Sequence, residues 1–238
     1  MITLITRPGI GKDHSEDAVL AGNRVWVDCS TTLPYENHSF VCVADGVGGQ
    51  QCGEVASSYV LSELNGVSGD DLRSQIMAIN DRLITKSAEN SELAGMATTL
   101  TGVYFGEASS VLFHIGNSRA YVLQGGYFKQ ITSDHTLYNW LKSTGRYEEA
   151  EHCNKNEIIG CMGGGSKKLL EKLHISNIPS AHTLLLTSDG VHDYVEIDEL
   201  ERIFALPISD IDKCQAILDF AVESGSNEDQ TIVLIRKD

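Results

Sequence analysis

The order of the predicted strands and helices constrains the fold of this chain more than any single motif does. Short β-like runs come in clusters, and helical segments come in consecutive pairs between those clusters. A protein with a parallel sheet would instead alternate single strands with single helices. The pattern therefore favours an antiparallel sheet covered by helices, and the predicted fold class is α+β.

The predicted strands are short apolar runs that end at turn residues. They cover residues 2–6, 24–27, 40–44, 98–105, 111–115, 119–123, 127–131, 184–187 and 231–236. Helices are predicted at 54–64, around 72–83, at 196–205 and at 208–224. The segment 134–165 shows a mixed pattern.

The charge of the chain limits its partners. Its 238 residues include 33 Asp and Glu against 18 Lys and Arg, which gives a formal net charge of −15. Such a surface repels phosphate backbones and anionic lipid headgroups, so we expect neither a nucleic-acid nor a membrane partner. The N-terminus lacks a signal-peptide pattern, and no apolar run reaches the roughly 18 residues that span a bilayer. The sequence therefore predicts a cytoplasmic protein.

The sequence shows no sign of division into separate units. It contains no internal repeat, no low-complexity tract and no linker rich in Pro or Ser, and it has only 4 prolines. One domain over residues 1–238 is therefore expected. The six cysteines are expected to be reduced thiols, because the chain carries no export signal.

Acidic residues stand at the ends of several predicted strands. They are Asp45-Gly46 and Asp189-Gly190 after apolar strands, Asp229 before the last strand, and Glu16-Asp17 near the N-terminus. An isolated Asp-Gly is more often a simple turn. Carboxylates about 4 Å apart repel by roughly 1 kcal/mol in water and by more inside a protein, so acids that converge require a cation. Oxygen ligands without a Cys or His pair select Mg²⁺ or Mn²⁺.

Other catalytic classes lack their motifs. A dinucleotide-binding loop needs glycine where Gln51 stands, and a P-loop in residues 160–167 needs lysine where Ser166 stands. The chain has no G-x-S-x-G elbow and no H-E-x-x-H motif. We therefore expect no nucleotide-binding site, and neither a serine hydrolase nor a zinc protease.

Seven segments in a fixed order carry a resemblance to a known family. They are SED at 15–17, ADGVGG at 44–49, ATTL at 97–100, GNSRAY at 116–121, ITSDHT at 131–136, LLTSDGV at 185–191 and NEDQTIVLI at 227–235. Together they resemble the motifs of the metal-dependent Ser/Thr protein phosphatases of the protein phosphatase 2C family, bacterial type. The resemblance implies a four-layer αββα sandwich, with a central antiparallel β-sandwich flanked by helices, that hydrolyses phosphoserine and phosphothreonine in proteins.

The resemblance also implies two Mn²⁺ or Mg²⁺ ions at one end of the sandwich. Their ligands would be Asp45 between both ions, the Gly46 carbonyl, Asp189, Asp229, and Glu16 or Asp17, directly or through water. Neighbouring side chains of an extended segment face opposite ways, so Glu16 and Asp17 are not expected to bind in the same manner. A water between the ions would become hydroxide and attack phosphorus in line.

Further residues receive roles from the same resemblance. Lys12 occupies the position of an arginine that grips the phosphate, and it is a predicted catalytic residue together with Asp45. Asn117, Arg119 and His135 are predicted supporting residues. Residues from about 139 to 165 would correspond to a variable flap beside the site.

Departures from the family pattern keep alternatives open. Lys12 offers a point charge rather than a bidentate fork, Val47 replaces a histidine of eukaryotic members, and the neutral Asn117 argues against a third ion. One alternative is a pseudophosphatase or phosphoprotein-binding regulatory module with little turnover. Another is an enzyme that acts on a phosphorylated anti-sigma-type regulator or a small phosphoester. As an enzyme, the protein would act in signalling on phosphoproteins and oppose a Ser/Thr kinase.

Overall fold

The computed structural model describes residues 1–47, 51–107, 109–178 and 183–237, so Gly48 and Gly49 of the glycine-rich segment lie outside the described residues. Its strands are β1 Ile2–Arg7, β2 Asp17–Ala21, β3 Arg24–Trp26, β4 Cys29–Leu33, β5 Ser39–Val47, β6 Ala97–Thr98, β7 Leu100–Phe105, β8 Ser110–Ile115, β9 Arg119–Gln124, β10 Tyr127–Gln130, β11 Met162–Gly163, β12 His174–Ile178, β13 Thr183–Thr187 and β14 Gln230–Arg236. Its helices are α1 Gln51–Asn65, α2 Leu72–Glu89, α3 Leu137–Ser143, α4 Tyr147–His152, α5 Asp189–His192, α6 Ile197–Phe204 and α7 Asp210–Glu223. Short 3₁₀ helices cover Ser91–Leu93 and Lys167–Lys172.

The strands form two antiparallel sheets. The first sheet has the order β10-β9-β13-β14-β1-β4. The second has the order β11-β6-β5-β7-β8-β12, and β2 pairs with β5 while β3 pairs with β2. Antiparallel pairing places the end of one strand beside the start of its neighbour, so residues distant in sequence meet at the sheet edges.

Alternate residues of the central strands face different layers. In β13, Leu184 and Leu186 pack between the two sheets, whereas Leu185 packs against α5, α6 and α7 on the outer face. In β5, Val41 and Val43 face the other sheet, whereas Cys42 faces α1 and α2. The strands are therefore apolar on both faces, because helices cover each sheet. The layers follow the order helix, sheet, sheet, helix, which confirms the predicted α+β class and αββα sandwich.

Short polar side chains begin several of the helices. The Ser209 side chain accepts a hydrogen bond from the Asp212 amide at the start of α7, and the Thr136 side chain accepts one from the Asn139 amide at the start of α3. Each such contact satisfies an amide that the first helical turn leaves unpaired. In α2, the stripe of leucines and isoleucines predicted from helical spacing is buried.

The structure adds elements that the sequence pattern did not predict. The strand β2 was missed because all five of its residues are buried, which removes the polar–apolar alternation. The edge strand β4 was missed because its side chains are mostly polar. The mixed segment 134–165 contains the two short helices α3 and α4 and the two-residue strand β11.

Candidate metal centre

The acidic residues at strand ends meet at one end of the sandwich. Asp17 lies directly opposite Asp45 in the pair of strands β2 and β5. The strand β13 ends beside the start of β14, so Asp189, just after β13, lies near Asp229, just before β14. We refer to Asp17, Asp45, Asp189 and Asp229 as the acidic cluster.

The acidic cluster lines a cavity of about 220 Å³. The other lining residues are Lys12, Glu16, Gly46, Val47, Asn156, Ile158 and Glu228. The structure thus brings together every residue to which the resemblance assigns a metal-binding or phosphate-binding role. Glu228, Asn156 and Ile158 were missed: Glu228 stands beside Asp229, and no motif marks the other two.

Two carboxylates of the acidic cluster, Asp17 and Asp45, have raised pKa values. Burial and then the charges of Asp189, Asp17 and Asp229 raise the pKa of Asp45 well above its usual range. Burial also raises the pKa of Asp17 to about 7, although nearby hydroxyl groups oppose the shift. A raised pKa means that the charged form of the carboxyl group is destabilised. A cation between the carboxylates would stabilise that charged form.

Unpaired oxygen atoms point to the same conclusion. In the described part of the chain, Oε1 of Glu16 and Oδ2 of Asp17 are buried and accept no hydrogen bond. Such atoms are rare in proteins unless they serve a ligand. No three His, Cys, Asp or Glu side chains of the described residues form a ready-made cation cage. The charge and the unpaired oxygens of this all-oxygen donor set nevertheless fit a hard divalent ion.

Asp229 is held by donors from the N-terminal segment. Its Oδ1 accepts a hydrogen bond from the Gly9 amide at 2.7 Å, and its Oδ2 accepts one from the Glu16 amide at 2.8 Å. The Lys12 ammonium donates to Oδ2 of Asp229 at 3.0 Å and lies 3.5 Å from Oε2 of Glu16. Partial burial alone would lower the pKa of Lys12, but its contacts with Asp229 and Glu16 raise it. A positive charge therefore reaches into the cavity.

Threonines fix the backbone of Asp45. The Asp45 amide donates to Oγ1 of Thr99 at 2.9 Å, and the Asp45 carbonyl accepts from Oγ1 of Thr98 at 3.0 Å and from the Thr99 amide at 2.8 Å. Thr99 is itself hydrogen-bonded to Ser118 at 2.8 Å. The two threonines of the ATTL motif therefore hold the carboxylate-bearing end of β5 in place.

The end of β5 also touches the start of α1. A Cβ atom at Gly46 would lie 2.3 Å from the Gly53 backbone, and one at Gly53 would lie 2.5 Å from Oε1 of Glu16. Only glycine fits where two backbones approach this closely. The contact brings the first turn of α1 against the residue whose carbonyl is a candidate ligand.

The three predicted supporting residues occupy different places. Asn117 donates from Nδ2 to Oδ2 of Asp189 at 2.9 Å, and its own Oδ1 is buried without a partner among the described residues. Arg119 binds Asp134 through Nε and Nη2 at 2.7 to 3.1 Å. His135 stacks on His114 with ring centroids 4.7 Å apart. Asn117 thus contacts the acidic cluster, whereas the other two belong to its surroundings.

No helix among the described residues combines the length and apolar character needed to cross a bilayer.

Comparisons with known proteins agree with the geometry of the site. A family model described as Protein phosphatase 2C matches residues 28–216. The chain is 28% identical over 218 residues to the serine/threonine phosphatase stp of Listeria monocytogenes, which covers 85% of this chain and 86% of that protein.

Two solved structures have the same fold. The serine/threonine phosphatase Stp1 from Staphylococcus aureus superposes with a TM-score of 0.81 and 30% identity, over 100% of this chain and 94% of that one. The catalytic domain of the phosphatase PstP, solved in complex with 2 manganese ions, superposes with a TM-score of 0.73 and 27% identity, over 98% of each chain.

Proposed function

The chain belongs to the protein phosphatase 2C family as a metal-dependent serine/threonine phosphatase of the bacterial type, and we propose that its acidic cluster holds two divalent ions. The observation that carries this proposal is the convergence of four carboxylates on one cavity of about 220 Å³. At an effective dielectric constant near 20, two such charges 4 Å apart repel by about 4 kcal/mol, so cations are needed to keep them together and ionised.

We assign the ligands as follows. Asp45 and the Gly46 carbonyl bind from β5, and Asp189 and Asp229 bind from the ends of β13 and β14. Glu16 and Asp17 each have a buried oxygen without a partner among the described residues, and Asp17 is assigned as the direct ligand from β2 because it lies opposite Asp45. Glu16 is the residue that binds through water, since its Oε2 already faces Lys12.

The ions are Mn²⁺ or Mg²⁺, because every proposed ligand is an oxygen atom. Bound in this cavity, they would supply positive charge to the phosphate and lower the pKa of a coordinated water. The neutral side chain of Asn117 adds no charge to the set and instead orients Asp189 through its amide. Two ions are therefore proposed, without a third.

The remaining lining residues serve the substrate. The Lys12 ammonium would offset negative charge on the phosphate oxygens as it does now on Asp229. Val47 lines the cavity with an apolar side chain and has no proton to give. Water or another acid of the site would therefore supply the proton for the departing serine or threonine oxygen.

The substrates are phosphoproteins, and we propose that a Ser/Thr kinase of the same cell produces them. Residues 1–238 would form one catalytic domain in which residues from about 139 to 165 make the flap. Loss of protein phosphorylation in cells that overproduce the protein, with no loss when Asp45→Asn is overproduced, would support this role.

The assignment is tested with Asp45→Asn and Asp189→Asn. Each variant is expected to lose Mn²⁺-dependent hydrolysis of para-nitrophenyl phosphate by about 100-fold or more, because a lost ligand weakens the binding of the ion. Asp219→Asn is a matched control, since Asp219 is exposed, pairs with Arg7 and does not line the cavity. Unchanged turnover in the two cluster variants would refute the assignment. If the wild-type protein bound no Mn²⁺ in calorimetry, a phosphoprotein-binding module would replace the enzyme.

A further inference from the structure

The segment after the Arg119–Asp134 ion pair folds into a helical hairpin with its own groove. Helices α3 and α4 pack side by side, and the groove between them has a volume of about 600 Å³. Leu137, Trp140, Leu141 and Cys153 give it apolar walls. Trp140 is 39% exposed, so part of its ring is open to an occupant of the groove. The groove is separate from the cavity lined by the acidic cluster, which we call the metal cavity. The two share no lining residue.

The rim of the groove is acidic. Glu148, Glu149 and Glu151 line it together with one arginine, Arg146, and one histidine, His152. Arg146 is engaged within the hairpin, because its Nε donates to Glu149 at 2.6 Å and its guanidinium lies over the Trp140 ring at 5.1 Å. Glu148 and Glu151 have no ion-pair partner among the described residues. An occupant that carried positive charge beside an apolar side chain would find complementary partners for both.

The hairpin is fixed at a short distance from the metal cavity. Its two ends are joined by the bridge between Thr136 and Ile158 and by the hydrogen bond from the Leu137 amide to the Glu157 carbonyl at 2.8 Å. Cys153 lines the groove and Asn156 lines the metal cavity. Three residues of chain span at most about 11 Å. The walls of the two sites therefore approach each other to a distance that about three to four extended residues of a bound peptide would span.

We propose that this groove binds the part of a phosphoprotein substrate that lies about three to four residues from the phosphorylated serine or threonine. It selects segments in which a large apolar side chain stands next to Lys or Arg. The inference rests on the proposed function, because it places the phosphate in the metal cavity. A second copy of this chain is a poor occupant, since molecules of net charge −15 repel each other.

The test compares three phosphothreonine peptides of equal length. The first carries Phe and two Lys four residues from the phosphothreonine, the second replaces Phe with Ala, and the third replaces both Lys with Glu. The wild-type protein is expected to show a kcat/KM for the first peptide about tenfold above that for either of the others. Equal kcat/KM values for the three peptides would overturn the proposal.

Amino-acid substitutions test whether the groove is responsible for the preference among the peptides. Trp140→Ala is expected to remove the preference for Phe, and the double variant Glu148→Gln with Glu151→Gln the preference for Lys. Both should hydrolyse para-nitrophenyl phosphate within about twofold of the wild type, because the changes lie on the surface outside the metal cavity. Tyr127→Ala is the matched control, since this aromatic residue is 70% exposed and lines neither cavity. A Tyr127→Ala variant that loses the preference, or a Trp140→Ala variant that keeps it, would overturn the assignment.

Two outcomes separate this inference from the proposed function. A wild-type protein that fails to hydrolyse para-nitrophenyl phosphate with Mn²⁺ would refute the proposed function. Binding in the groove would then still be measurable with the unphosphorylated peptides, through Trp140 fluorescence in a Trp26→Phe background. A dimer in sedimentation that Trp140→Ala dissociates would show that a second copy occupies the groove, and would overturn the inference.

Discussion

Two groups of charged side chains lie close together and neutralise their charge in opposite ways. The acidic cluster gathers four carboxylates around a cavity, and Lys12 is the cation that reaches them among the described lining residues. The neighbouring group, which we call the paired cluster, consists of Arg119, Asp134 and Gln130. There a single carboxylate accepts hydrogen bonds from both partners, so its charge is fully compensated. The comparison indicates that the acidic cluster is built to receive positive charge from outside the chain, whereas the paired cluster stabilises the fold.

The largest expected effect is that a substitution in the acidic cluster lowers activity, whereas a substitution in the paired cluster lowers stability. Asp45→Asn should abolish catalysis by about 100-fold or more and leave the fold intact, because it removes repulsion as well as a ligand. Asp134→Asn should destabilise the fold by about 2 to 3 kcal/mol, because it removes the nearer carboxylate of Arg119 and leaves Asp193, whose Oδ1 lies 4.0 Å from Nη2. Turnover with para-nitrophenyl phosphate and urea unfolding measure the two quantities. The comparison fails if both variants lose stability and activity to the same extent.

The next effect concerns the removal of metal. At a free Mn²⁺ concentration 100 times the dissociation constant, binding should raise the free energy of unfolding by about 2.7 kcal/mol. For a chain of this length, that corresponds to roughly 5 to 10 °C in Tm. Differential scanning fluorimetry with Mn²⁺ and with EDTA measures the shift. It should vanish in Asp189→Asn and persist in the Asp219→Asn control. A shift of equal size in both variants would contradict a site at the acidic cluster.

A smaller effect concerns acid stability at the stacked pair of His114 and His135. Burial lowers the pKa of His114 to about 4 and that of His135 to about 3. Between these values and the ordinary value near 6.5, the unfolded chain binds protons that the folded chain does not, so stability falls as pH falls. From pH 7.5 to pH 5, His114 alone should lower the free energy of unfolding by about 2 kcal/mol.

Urea unfolding at the two pH values, with EDTA present, measures this loss. The comparison of wild type with His114→Gln cancels the opposite contribution of Asp17, whose raised pKa stabilises the fold at lower pH. His14→Gln is the control, because this histidine is exposed. Identical pH dependence in the wild type and in His114→Gln would show that the pair does not resist protonation.

The smallest expected effect concerns Lys12. Lys12→Arg should lower KM for para-nitrophenyl phosphate by about two- to fivefold, because a guanidinium binds two phosphate oxygens where an ammonium offers one point charge. Steady-state kinetics at saturating Mn²⁺ measures the change. If KM were unchanged in both Lys12→Arg and Lys12→Met, Lys12 would pair with Asp229 without contacting the substrate.

The sequence was sufficient for the fold class and for the proposed metal ligands and Lys12, but not for Glu228, Asn156 and Ile158, which also line the metal cavity. The apolar strands that end in Asp-Gly and the ordered motifs carried both results, because a buried strand and a carboxylate beside a glycine are local signals. Two features could not be predicted from the sequence. The strand β2 is buried on both faces and shows no alternation, and the pairing that places Asp17 opposite Asp45 is a long-range register.

The helical hairpin was also beyond the sequence pattern. Its helices α3 and α4 have seven and six residues, so their periodicity is too short to recognise. The contribution of Asn156 and Ile158 to the metal cavity depends on how the hairpin returns to the sheet through the bridge between Thr136 and Ile158. Such placements depend on tertiary contacts, which produce no recognisable motif in the sequence.

The double-sided burial of the central strands has a consequence for the motion of the molecule. Backbone amides in β5, β13 and β14 are sealed beneath helices on one side and a second sheet on the other, so deuterium should enter them only when the whole domain unfolds. Asp45 lies within one of these strands, and Asp189 and Asp229 stand within two residues of the others. The carboxylates proposed as metal ligands are therefore anchored to what should be the slowest-exchanging backbone of the chain.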